Sequence, residues 1–122
     1  MTSGAGDVSG DVPPFNREAF LHRVRGDLEL ASALAALFLE HLPAQLDDVR
    51  RAVEAGDAAA IDRTTHALKG SVANFDAEPA RMAAQRLEVL GRTGDLTEAV
   101  AALRTLEREL DRLGPALREL TG

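Results

Sequence analysis

At 122 residues the chain is the size of one domain, and its 45% hydrophobic and 28% charged residues are globular rather than disordered composition. The absence of cysteine excludes a disulfide framework and any thiolate metal site, and the net charge of −6 argues against nucleic acid, whose phosphates reward clustered Lys and Arg. No apolar run approaches the roughly 20 residues that cross a bilayer, so no membrane segment is expected and a reducing cytoplasm suits the chain.

Met1 to Pro14 is rich in Gly, Ser, Asp and Pro and lacks the basic start and apolar run of a secretory signal. It reads as a disordered lead to a single domain over 15–122. From Asn16 onward Ala, Leu, Arg and Glu dominate and period-two β-branched runs are missing, which predicts an all-α fold. Asn16 can cap a short first helix carrying Phe20, Leu21 and Val24, ended by Gly26 with Asp27 placed to cap the next. The second helix is long: Leu28, Ala31, Leu34, Phe38, Leu42, Leu46, Val49 and Val53 recur at helical spacing through Pro43, which should bend or briefly break it. Ala55-Gly56-Asp57 stops that helix and caps a third, with Ile61, Thr65, Leu68, Val72 and Phe75 as its core stripe and Asp76 near its end. Pro79 fits the first turn of a fourth helix lined by Ala80, Ala83, Leu87 and Leu90, and the run Gly91 to Asp95 is turn chemistry. Leu96, Val100, Leu103, Leu106 or Leu110, and Leu113 carry a fifth helix to Gly114-Pro115, with Leu117 and Leu120 in a further turn or two. Four amphipathic helices on short loops pack most simply as an antiparallel four-helix bundle, with the short additional N-terminal helix capping one end.

One histidine stands outside this core pattern. At about 100° per residue, His66 projects roughly 140° from the centre of the third helix's apolar stripe, so it faces out or lies on the rim. Ala59, Asp62, Arg63, Lys69, Gly70 and Ala73 share its face, and the small residues among them form a clearing. A mid-helix glycine costs about 1 kcal/mol relative to alanine, so Gly70 needs a reason, and close approach by another molecule supplies one. Neutral imidazole is a good nucleophile that changes charge near neutral pH, which suits it to carry a phosphoryl group. Lys69, one turn on, can offset phosphate charge. A carboxylate accepting from the other ring nitrogen would orient the ring, and Glu88 on the fourth helix is the candidate, about 140° from that helix's apolar centre beside Ala84 and Gly91. Arg81, Arg86 and Arg92 add positive charge nearby.

The run His66-Ala67-Leu68-Lys69-Gly70-Ser71, followed by Asn74-Phe75 and later Leu87-Glu88, closely resembles the signature of histidine phosphotransfer (HPt) domains of two-component phosphorelays. The resemblance extends more loosely over Arg17 to Leu113. It implies a four-helix bundle without ATPase activity, whose histidine, matching His66, takes a phosphoryl group from a kinase or a phosphorylated receiver domain and gives it to a receiver aspartate. By the same resemblance Lys69 stabilises the phosphate, Gly70 keeps access open and Glu88 holds the imidazole. Asp76 departs from the glycine usual in the family after the Asn-aliphatic pair, and Asp tolerates the left-handed conformation such a turn needs.

The expected partners are therefore a response-regulator receiver domain, a hybrid histidine kinase or both, met through Ala59, Arg63, Ala73, Arg81 and Ala84 around the site. No cofactor is expected in this chain, magnesium belonging to the receiver. His22 and His41 read as rim residues, no histidine pair has the i, i+4 spacing of helical zinc sites, and no hydrolase or nucleotide-cradling motif occurs. Ser71 projects toward the core side. A monomer is expected, because the histidine face must stay open and no second apolar stripe of size is evident. Two other readings compete: a module that binds a receiver or kinase without accepting phosphate, and the phosphotransfer piece of a larger hybrid kinase.

Overall fold

Residues 12–121 are described by a computed structural model. The helix starts follow from the acidic and amide side chains that precede them. Asn16, Asp27 and Asp57 each accept a hydrogen bond on the side-chain oxygen from the backbone N–H three residues on, at 2.9, 2.9 and 3.1 Å. Each thereby satisfies a donor that the first helical turn leaves unpaired. The helices so begun are α1 (Arg17–Arg23), α2 (Leu28–Ala55) and α3 (Ala58–Ala73); α4 (Glu78–Thr93) and α5 (Ala99–Thr121) complete the fold. α4 starts from Ala77 without a side-chain cap and relies on Pro79 in its first turn. Gly56 and Gly94 end α2 and α4 in the left-handed conformation, at φ 63° and 81°.

α2 to α5 form an antiparallel ring of four, each packed on its chain neighbour, with α5 closing back onto α2. The centre is aliphatic and contains Val49, Ile61, Leu68, Val72, Leu87, Leu106, Leu113 and Leu117. All four phenylalanines gather at one end: Phe20 stacks 6.4 Å from Phe15 and 4.9 Å from Phe75, which lies 5.1 Å from Phe38. This cluster seats α1 across the bundle. Polar contacts lock it there, since the Asn16 N–H donates to the Asp76 carbonyl at 3.0 Å and Arg23 forks onto the Asp76 carboxylate at 2.8 and 3.0 Å. Asp76 adopts φ 55°, the left-handed turn expected where the family usually has glycine, and its side chain is what Arg23 grips.

Several expectations change. Pro43 lies inside α2, and the helix runs on from Leu28 to Ala55; the ring sits on the exposed side, where solvent accommodates the missing N–H. Gly114-Pro115 likewise does not end α5, which continues to Thr121 with Pro115 exposed and Leu117 in the core. Gly91 is not turn residue but buried α4 helix. Leu28 and Leu34 were placed on the core stripe of α2 and Val100 on that of α5, yet all three are exposed. The rest of the α2 stripe holds, with Ala31, Phe38 and Val49 buried and Leu42, Leu46 and Val53 packed against the core, and Ala35 and Ala52 complete the buried side. Of the two grounds for expecting a monomer, the open histidine face stands, whereas the lack of a second apolar stripe does not: Leu30, Leu34 and Leu37 stand exposed along the outer side of α2. Of the expected disordered lead, residues 1–11 lie outside the described residues. Among the described residues no helix is long and apolar enough to cross a membrane.

Candidate functional site

α3 carries His66 outward, with 70% of its side chain exposed, while Thr65 beside it is buried and satisfies its hydroxyl on the Ile61 carbonyl at 2.6 Å. Two successive residues thus face opposite ways, one anchoring the helix and the other presenting a ring to solvent. Across the α3–α4 contact stands Glu88. Its carboxylate is 2% exposed and sits between the two helices, with Oε2 2.6 Å from His66 Nδ1 and Oε1 accepting from Lys69 Nζ at 2.7 Å. Arg92, one turn along α4, places Nη2 3.2 Å from Oε2 and 3.9 Å from Asp62.

Burial alone pushes the Glu88 pKa up; the hydrogen bonds from Lys69 and then His66, with their charges, outweigh it and hold the carboxyl below its ordinary value. Glu88 is therefore ionised at neutral pH, and an ionised carboxylate only accepts hydrogen bonds. In the neutral ring the 2.6 Å contact then places the proton on His66 Nδ1 and leaves Nε2, the outer nitrogen, with its lone pair free.

The structure places His66, Lys69 and Glu88 side by side, with Glu88 a buried charge between two cations, Lys69 and Arg92, and the His66 ring, not a carboxylate on the groove edge. Gly70 is exposed, and a Cβ built there meets nothing within 4 Å, so the fold itself makes no demand for glycine and the clearing is real. Ala59 and Arg63 are exposed and Ala73 is half-buried on the same helix face. Arg81 is occupied by Glu78 at 2.6 and 2.7 Å and by Gln85 at 2.8 Å, and that grip holds the Glu78 carboxyl below its usual range. Ala84 is completely buried in the α4 packing face and cannot meet a partner, contrary to expectation. His22 and His41 are exposed, and Ser71 is half-buried, donating to the Ala67 carbonyl and accepting from Gln45, each at 3.2 Å. Among the described residues no group of His, Cys, Asp or Glu is arranged to hold a metal ion.

Two features escaped the sequence reading. Arg92 appeared there only as nearby positive charge, because its hold on Glu88 depends on the depth of that carboxylate. The other is an apolar groove of about 310 Å³ where α1, α2 and α3 meet, with Phe20, Leu34, Leu37, Phe38 and Phe75 in its wall and Ser71 and Asn74 at its α3 edge. His66, Gly70 and Asn74 follow each other at i, i+4 and i+8, so the open surface at Gly70 joins the histidine to this groove over roughly 12 Å of helix. The 4-3 spacing of Leu30, Leu34 and Leu37 was the signal for it, masked by the assignment of Leu34 to the core.

The Hpt domain family profile matches residues 33–116. Among solved structures, the crystal structure of histidine-containing phosphotransfer protein B (HptB) from Pseudomonas aeruginosa PAO1 is similar, with a TM-score of 0.79 and 26% sequence identity over 89% of this chain and 95% of that one. Among curated proteins no sequence matches.

Proposed function

We propose, from the premise that this chain belongs to the Hpt domain family and is a histidine-containing phosphotransfer protein of a phosphorelay, that His66 is the residue that carries the phosphoryl group. The observation that carries the reading is the 2.6 Å bond between Nδ1 and the buried Glu88 carboxylate, which keeps the nucleophilic lone pair on the exposed Nε2. In the forward step that lone pair attacks the phosphorus of a receiver's aspartyl phosphate. The N–P bond forms as the P–O bond to aspartate breaks, the aspartate leaves as a carboxylate, and the Nδ1 proton stays in place. The ring thereby becomes a cation, and Glu88 is already in position to balance it. Lys69 lies one turn from the ring and has further N–H donors for the arriving phosphoryl oxygens. Return of the group to a receiver aspartate is the same path reversed.

The receiver supplies the magnesium and much of the transition-state stabilisation, while this chain supplies placement and has no kinase or ATPase activity of its own. The protein works in the cytoplasm as a monomer. The receiver seats on the α1–α2–α3 groove and its exposed leucines, because that surface is continuous with His66 through the clearing at Gly70. The rival reading, a module that binds receivers without accepting phosphate, leaves the ionised Glu88 and the oriented ring without purpose.

The test incubates the protein and its His66→Gln variant with a phosphorylated receiver domain and follows acid-labile, base-stable phosphate. Label on the wild type alone is the expected outcome. Binding without label on either protein overturns the carrier role in favour of the rival.

A further inference from the structure

The structure assigns Gly91 a positioning role: the closeness of α4 to α3 that it permits is what brings the Glu88 carboxylate within hydrogen-bonding distance of His66. The inference rests on His66 being the acceptor, but its geometry stands independently. A Cβ at Gly91 would lie 2.7 Å from the Asp62 backbone nitrogen, 2.8 Å from the Ala58 carbonyl oxygen and 2.9 Å from Ile61 Cγ2. Two of those three atoms are helix backbone and cannot turn aside, so even one methyl group must push the helices apart. Restoring ordinary contact, which begins at 3.4 Å, means a withdrawal of about 0.7 Å.

That displacement falls where the site is least tolerant. Gly91 is three residues from Glu88, hence on the adjoining turn of the same face, and the atoms it touches belong to the α3 turns directly before His66. Ala80 and Ala84 continue the close seam on the other side of Glu88, both buried. A carboxylate 2.6 Å from Nδ1 that retreats by about 0.7 Å stands just beyond the ordinary hydrogen-bond range, and its hold on the ring weakens. Lys69 ends in a flexible ammonium and can follow it, whereas the imidazole, on a short side chain, cannot. The contrast with Gly70 is informative: both glycines lie within helices, but the one on the open face meets nothing, and the one on the buried face is in contact with a neighbouring backbone.

The experiment compares wild type, Gly91→Ala and a core variant of similar destabilisation remote from the site, Leu113→Ala, by 15N NMR of the His66 ring at a pH where it is neutral. Wild type and Leu113→Ala should show the proton on Nδ1, and Gly91→Ala should show it redistributed to Nε2, with phosphoryl acceptance from a phosphorylated receiver reduced about ten- to hundredfold. If Gly91→Ala is unfolded in plain buffer, the spectrum is recorded in trimethylamine oxide, which favours the compact state, and on Ala84→Ser, a smaller wedge in the same seam. An unchanged Nδ1 tautomer in folded variants overturns the assignment. Because the tautomer is read without any phosphate donor, failure of the wild type to accept phosphate would sink the carrier role and leave this result interpretable.

Discussion

At the scale of single residues, the site separates what the fold requires from what a partner requires. Thr65, Leu68 and Val72 are buried and serve α3 as packing residues would in any bundle. Gly70 serves nothing inside the molecule, since the space above it is empty. Gly70→Gln should therefore fold normally, with melting temperature unchanged or slightly raised because a helix-forming residue replaces glycine, yet transfer from a phosphorylated receiver should fall by an order of magnitude or more. Thermal melting and transfer kinetics on one preparation check both halves, and an unaltered transfer rate would show that the receiver does not approach over this face. His66, Gly70 and Glu88 were legible in the sequence because each breaks a rule of ordinary helix surface, as an isolated imidazole, a costly glycine and a carboxylate beside small residues, and Lys69 because it lies one turn from the imidazole. The depth of Glu88 was not legible. Helical projection gives a direction but not a distance to the next helix, and that distance is set by Gly91 and the alanines, whose small size reads as loop or filler until a neighbour is present.

Whole elements show the same division. Starts were readable wherever a side chain caps them, at Asn16, Asp27 and Asp57, because capping is a local hydrogen bond between residues three apart. The end at Gly114-Pro115 was misread, and α2 runs on through Pro43, because proline's penalty depends on whether the lost hydrogen bond is solvated, and both rings lie on exposed sides of long helices held by tertiary packing. The error on α2 concealed its function. Leu30, Leu34 and Leu37 form an exposed row beside a groove, and on the proposed reading this is the surface that a receiver would cover. The double variant Leu34→Glu, Leu37→Glu should retain the helical spectrum and the His66 tautomer while weakening receiver binding at least tenfold, as measured by titration calorimetry. Unchanged binding would move the docking surface elsewhere. A loss of self-association instead, detected by sedimentation of the free protein, would make this row a contact between copies and overturn the monomer.

For the molecule as a whole, the consequence of burying one ionised carboxylate between two helices is a pH-dependent contribution to stability. The Glu88 carboxyl titrates below its reference value of 4.5 in the folded chain, despite the opposing effect of burial, because Lys69 and His66 donate to it. A carboxylate with a depressed folded pKa binds fewer protons folded than unfolded, so its stabilisation is fully present above about 4.5 and fades as pH drops through the folded value. Glu88→Gln keeps the shape and removes the charge. At pH 7 it should lower stability by about 1.5–3 kcal/mol, the range for hydrogen bonds to a charged group, and the deficit should shrink as both proteins are acidified below pH 4.5. Glu78 and Asp95 also have lowered pKa values, the first from Arg81 and the second from Thr97, and they bias acid stability in the same direction. Both are present in wild type and variant alike, so they cancel in the difference. Urea unfolding at pH 7 and pH 3 measures that difference directly. A gap that stays constant between the two pH values would mean that the carboxylate charge contributes nothing to holding α3 on α4. The 2.6 and 2.7 Å contacts would then act only to orient His66 and Lys69, with the bundle held by its apolar core alone.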